Sequence, residues 1–216
     1  CLVGSEMCIR DSIYAQTGLV TFSGPHYSSF GMARGFDYTQ EHVRNMLCGK
    51  GGYVVEPSKE WSDDLWFIDQ NKRDFIANEG YWTIHKGEAE GTIIGGNLGT
   101  FDLLLGSPYR PAFKKNTILF VENCFGSAGD DTTFLRELQA LAYQPDFINV
   151  KAVVIGRFQK ASEISREKLE YIVNSIPQLK ELPVIANVDF GHTTPMLTLP
   201  IGGRCEITSD GIQVQI

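Results

Sequence analysis

An alternation running from Thr117 to Val188 constrains this chain more than any other feature. Three short apolar runs, Thr117 to Val121 (TILFV), Ala152 to Ile155 and Val184 to Val188, are separated by two segments with helical periodicity. In Asp131 to Gln144, the residues Phe134, Leu135, Leu138, Leu141 and Ala142 fall at i, i+1, i+4, i+7 and i+8, which makes one apolar stripe with Asp130 or Asp131 as N-cap. In Ser162 to Ser175 the stripe is Ile164, Leu169, Ile172, Val173 and Ile176, and Pro177 stops it. Strand, helix, strand, helix, strand predicts an α/β fold with a parallel sheet joined by right-handed crossovers. The tail "CEITSDGIQVQI" predicts a hairpin turning at Ser209-Asp210-Gly211.

The preceding half has a different texture. Residues 13–90 hold one strand-like piece, Leu19 to Phe22, followed by turn-rich, aromatic stretches such as "SGPHYSSFG", "WSDDLW" and "NEGYW" that read as surface loops and a binding rim. The first twelve residues, "CLVGSEMCIRDS", lack an initiator Met and a signal-peptide core, and they read as a non-native, adapter-like segment set apart from the fold. The expected organisation is therefore residues 1–12 as foreign sequence, 13–90 as part of an N-terminal domain with its linker, and 91–216 as a C-terminal α/β domain.

Composition narrows the partners. A net charge of -7 without a Lys/Arg cluster argues against nucleic acid. No apolar run approaches the ~20 residues of a membrane span. Cys1, Cys8, Cys48, Cys124 and Cys205 show neither CxxC spacing nor a dense framework, which suits free thiols in a reducing compartment better than disulfides or a zinc site.

Two residues stand out for chemistry. Glu122 directly follows the TILFV run, and His192 lies just past the Val184–Val188 run in "VDFGHTTP". Ligands of parallel α/β sheets bind beyond the carboxyl ends of the strands, so an acid and an imidazole leave the same edge. A carboxylate that orients an imidazole and stabilises its protonated form is the rear half of a nucleophilic triad; a buried Glu–His pair without chemistry, or two unrelated loop residues, fit the same pattern. In "GTIIGGNLGTFDLLLGSP", Gly95, Gly96 and Gly99 around Asn97 permit positive φ and close approach, as a substrate-facing turn or as tight packing. The cluster matches neither GxGxxG nor a P-loop, so no nucleotide cofactor is expected. Trp61, Trp66 and Trp82 could stack a ring or roof the core. No partner is evident for His26 or His85. There is no GxSxG elbow, and Ser23 in "TFSGP" lacks a strand-to-helix context.

The stretches "TGLVTFSGPHYSSFG", "GEAEGTIIGGNLGTFDLLLGSPY", "ILFVEN" and "VDFGHTTPMLTLPIGG" resemble, in order and over nearly all of Ile13 to Ile216, the serine LD-carboxypeptidases, on the branch that contains the microcin C immunity peptidase. The resemblance implies a two-domain enzyme: here a remnant of a Rossmann-like N-terminal domain plus a C-terminal α/β domain with a parallel βαβαβ core and a C-terminal hairpin. It implies a cofactor-independent Ser-Glu-His triad with Glu122 and His192 as two members, and a cytoplasmic bacterial setting. Its substrate would be a small murein peptide or a peptidyl-nucleotide, with Trp61, Trp66 and Asn97 as substrate-binding residues; a homodimer is compatible with it. The family's serine elbow falls on Gly4. The nucleophile is therefore expected to be absent from this chain and the polypeptide as written to be inactive, with Ser5 a coincidence. Two other readings are a non-catalytic peptide- or nucleotide-binding domain, and an amidotransferase-like enzyme using Cys124.

Overall fold

The computed structural model describes residues 5–49, 51–124, 130–209 and 211–215. Gly4 and Asp210 lie outside them. The described chain runs through α1 (Ser5–Thr17), β1 (Thr21–Ser23), α2 (Asp37–Cys48), β2 (Tyr53–Val55), β3 (Glu60–Trp61), β4 (Ile76–Ala77) and β5 (Trp82–His85). It continues with β6 (Ala89–Asn97), α3 (Leu98–Asp102), β7 (Thr117–Glu122), α4 (Asp130–Ala142), β8 (Val150–Arg157), α5 (Arg166–Ser175), β9 (Val184–Gly191), β10 (Leu199–Ile201), β11 (Arg204–Thr208) and β12 (Gly211–Gln215).

The predicted parallel unit is present. Strands β6, β7, β8 and β9 lie side by side and parallel at the centre of an eight-stranded sheet ordered β2-β12-β11-β6-β7-β8-β9-β5. The outer pairings are antiparallel, so the sheet is mixed and the fold is α/β. Every residue of β7 is buried, which explains why its sequence is a continuous apolar run rather than an alternating one. The two-residue period still sorts its faces. Leu119 and Val121 pack with Phe134, Leu138 and Leu141 of α4 and Leu169 and Val173 of α5, while Ile118 and Phe120 pack with Val154, Val188, Leu197 and Met46 of α2.

The observed bounds differ from the expected ones for local reasons. The helix expected from Ser162 starts at Arg166, because Glu163 adopts a left-handed backbone (φ 54) and Ser165 caps the helix by accepting from Lys168 N at 3.3 Å. The strand expected over Leu19–Phe22 begins at Thr21, since Gly18 (φ 75) ends α1 and leaves Leu19 exposed. Strands β8 and β9 run on past their apolar runs to Arg157 and Gly191, which pair with each other after register shifts on both sides of Gly156. The terminal hairpin pairs Thr208 with Gly211, as its turn signal predicts.

Two connections cross the expected organisation. The helix α1 passes through residue 12 without a break, and β2 and β5, from the 13–90 stretch, close opposite ends of the large sheet. Among the described residues no helix is long and apolar enough to cross a membrane.

Candidate active site

The carboxyl ends of β7, β8 and β9 converge on Glu122 and His192. Glu122, the last residue of β7, is fully buried, and its Oε2 lies 2.7 Å from His192 Nδ1. The His192 side chain keeps 34% of its surface exposed, so one ring edge is tied to the carboxylate and the rest faces solvent. Because β8 lies between β7 and β9, the contact has to reach across a strand. Two glycines clear that path. A Cβ on Gly156 of β8 would lie 2.8 Å from Glu122 Cβ and 2.6 Å from the Phe190 carbonyl. A Cβ on Gly191 would stand 2.9 Å from Glu122 Oε2, and its φ of 107° is one that side-chain-bearing residues rarely adopt. The glycine before the histidine therefore both makes the turn and leaves space for the acid.

The electrostatics favour a charged ring. Burial works against the His192 imidazolium, but its hydrogen bonding to the Cys124 and Glu122 side chains and its electrostatic attraction to them outweigh the burial, raising the pKa from 6.5 to about 10. Among the described residues Glu122 Oε1 has no hydrogen-bond partner, so the histidine is the compensation this buried carboxylate has.

The turn carrying His192 is anchored on both sides. Asp189, three residues earlier, is fully buried and accepts from Arg157 Nη1 at 2.6 Å, Ser58 N at 2.8 Å and Ser58 Oγ at 2.6 Å. The Asp189 carbonyl accepts from Leu197 N at 2.6 Å and closes the loop around the histidine. Beyond it, Ser62 and Thr194 exchange two backbone hydrogen bonds of 2.8 Å, joining the histidine turn to the loop that carries Trp66.

His192 opens into a cavity of about 530 Å³ that Cys124, Gln159, Trp66, Asp63 and Tyr27 also line. Of the substrate-binding candidates, Trp66 is on this wall. Trp61 is not; it lies under the Arg157 guanidinium, 5.3 Å from its ring centre, and faces a separate cavity. Asn97 ends β6 beside Glu122 in register but caps α3, accepting from Thr100 N at 3.0 Å and Thr100 Oγ1 at 2.6 Å. Trp82 packs against the core. His85 is satisfied by the Leu179 and Leu182 carbonyls and Asn174, away from the cavity, whereas His26 and Ser23 line it. Sequence reasoning missed Gly156, Asp189 and Arg157. Their signal was a glycine and two charges inside otherwise apolar strand sequence, "VVIGR" and "IANVDFG".

Residues 90–207 match the family profile of the LD-carboxypeptidase C-terminal domain. YocD of Bacillus subtilis (strain 168) is 47% identical over 197 residues, covering 91% of this chain and 60% of its own length. The microcin C7 self-immunity protein MccF of Escherichia coli is 31% identical, covering 94% of this chain and 61% of its own; its structure in complex with aspartyl sulfamoyl adenosine superposes with a TM-score of 0.78 at 29% identity, over 97% and 64% of the two chains. The crystal structure of an MccF-like protein from Bacillus anthracis superposes with a TM-score of 0.92 at 46% identity, again over 97% and 64%. The chain thus spans about 60% of the length of the curated relatives it matches. With the profile matching more than half of its residues and the sheet matching in three dimensions, the chain belongs to the LD-carboxypeptidase family.

Proposed function

We propose that this chain carries the acid–base half of a serine peptidase, in which His192 takes the proton of an attacking serine and returns it to the leaving amine while Glu122 orients the ring and stabilises its charge. The observation that carries the reading is the 2.7 Å contact between His192 Nδ1 and a Glu122 carboxylate that is fully buried at the ligand-binding edge of the sheet. The bond assigns the Nδ1 proton to the carboxylate side and leaves Nε2 for the reaction.

The substrate we propose is an amide between an L-centre and a D-residue in a murein peptide, or the peptide–nucleotide linkage of a microcin-like compound. The aspartyl sulfamoyl adenosine complex of MccF supports the second class, as does a tryptophan, Trp66, on the same cavity wall as His192. In this reading Trp66 stacks the base, Trp61 acts through the Arg157 it supports, and Asn97 orders the turn next to Glu122. Replacing Trp66 by Ala should weaken peptidyl-nucleotide turnover and spare an L,D-tetrapeptide; equal losses on both would remove the nucleotide preference.

In this reading the family's serine elbow falls on Gly4, so the polypeptide as written should not turn over either substrate. Losing a nucleophile costs about 10⁶-fold in a serine protease whose triad acts as a unit. The test assays the 216-residue chain beside a version extended with the N-terminal segment of a relative, on both substrate types. Turnover only by the extended version, abolished by His192→Ala, is the expected result; comparable turnover by the two would overturn the assignment and direct attention to Ser23.

A further inference from the structure

Strand β9 changes phase on its way to the histidine. From the pair Val153–Val184 to the pair Arg157–Gly191, β8 advances four residues while β9 advances seven, so the two strands do not keep step. The change shows in the side chains. Ahead of it, Val184 and Ala186 pack on the α4–α5 side of the sheet and Ile185 on the other side. Beyond it, the even positions Val188 and Phe190 take that other side. The parity flips at Asn187, whose φ of 59° is left-handed, a conformation Asn tolerates better than most side-chain-bearing residues. Ile118 and Phe120 of β7 occupy the same side as Val188 and Phe190, and the two-residue period carries it on to Glu122. An unshifted β9 would put its odd residues there and turn position 192 away from the carboxylate.

One side chain brackets the flip. Arg157, buried at the end of β8, donates from Nε to Asn187 Oδ1 at 3.0 Å and from Nη2 to the Asn187 carbonyl at 3.3 Å, while Nη1 reaches Asp189 Oδ1 at 2.6 Å. Asn187 Nδ2 donates in turn to the Gly80 carbonyl at 2.7 Å. We propose that Arg157 and Asn187 are the positioning residues of the acid–base pair: the guanidinium holds the out-of-phase backbone at Asn187, and that shift delivers His192 to the face of Glu122. Both act on the imidazole through the course of β9. Bonding an amide oxygen, a carbonyl and a carboxylate at once takes the rigid fork of arginine; the compact ammonium of lysine can pair with Asp189 but does not span all three. The proposal rests on Glu122 and His192 acting as a pair, and its readout is the ring's own titration, which needs neither serine nor substrate.

The experiment follows the His192 imidazole of the 216-residue chain by NMR across about pH 5 to 11, its resonance assigned by loss in His192→Gln. The buried Cys205 thiol, protected from labelling while the chain is folded, reports the fold. Arg157→Lys and Asn187→Val should each lower the titration midpoint by at least ~1 pH unit with Cys205 still protected, since the ring loses its carboxylate partner. Asn187→Gly should leave the midpoint in place, because glycine takes a left-handed φ without steric cost. A purely structural role would lower stability in these variants and leave the midpoint unmoved. An unmoved midpoint in Arg157→Lys or Asn187→Val would therefore overturn the proposal, as would a fall in Asn187→Gly as large as that in Asn187→Val. If Cys205 becomes labelled in either variant, Arg157→Gln or Asn187→Ala is read in its place with the same outcomes. A midpoint near the ordinary 6.5 in the unsubstituted chain would remove the pair itself, and the positioning proposal with it.

Discussion

At the scale of single residues, protonation decides what the site can do. A histidine whose pKa is raised toward 10 by Glu122 and Cys124 is in its acid form at neutral pH, whereas attack by serine needs the neutral ring. In a version supplied with the nucleophile, the acid limb of kcat/KM is therefore expected well above the ordinary histidine value of 6.5, and Cys124→Ala should move it down; a pH–rate profile checks both. The sign for folding follows from the same shift. The folded state holds its proton more tightly than the unfolded chain, so the pair's stabilisation is complete below about pH 6.5 and is lost as pH rises toward 10, a decline in Tm that Glu122→Gln should reduce. Asp11 provides a second titration. Its buried carboxyl accepts from Gly95 N at 2.8 Å while Oδ2 has no partner among the described residues, and burial, opposed by that bond and by Arg10, raises its pKa to about 8. Here stability should fall as pH rises from about 4 to 8. Asp11→Asn keeps the acceptor and removes the charge, and thermal melts should show it more stable by at least ~1 kcal/mol at pH 8 and near parity at pH 4.

At the scale of elements, β8 works as a spacer. Gly156→Ala would press on both the Phe190 carbonyl and Glu122, with an expected destabilisation of ~1–3 kcal/mol and a fall in the His192 pKa as the pair is pushed apart, read by denaturant titration and by NMR titration of the imidazole. If the imidazole titrated unchanged in that variant, the glycine would be dispensable for the pair. Sequence periodicity exposed β7, α4, β8, α5 and β9, because each buries a face whose period is written in consecutive residues. It could not expose β2 and β5, three- and four-residue strands whose place depends on pairing with β12 and β9 far along the chain. Glu122 and His192 were legible because each punctuates an apolar run. Gly156 was not, since its role depends on side chains of two other strands. Trp61 and Trp66 look equivalent in "WSDDLW", yet they lie on either side of the Ser62–Thr194 bridge and line different cavities, a difference set by a pairing far along the chain.

At the scale of the molecule, β2 and β5 lie at opposite ends of one sheet, and α1 packs on β6. Heating should therefore give one cooperative transition, with calorimetric and van't Hoff enthalpies in agreement; two separated transitions would instead support residues 13–90 as a unit of their own. The double bond between Ser62 and Thr194 has a mechanical consequence. It ties the wall bearing Trp66 to the turn bearing His192. In a version supplied with the nucleophile, a molecule that fits the wall badly should tilt the imidazole with it, and misplacement of about 1 Å can cost 10²-fold in rate. Shape would thereby be translated into alignment, so that an ill-fitting guest is held in the cavity and still spared.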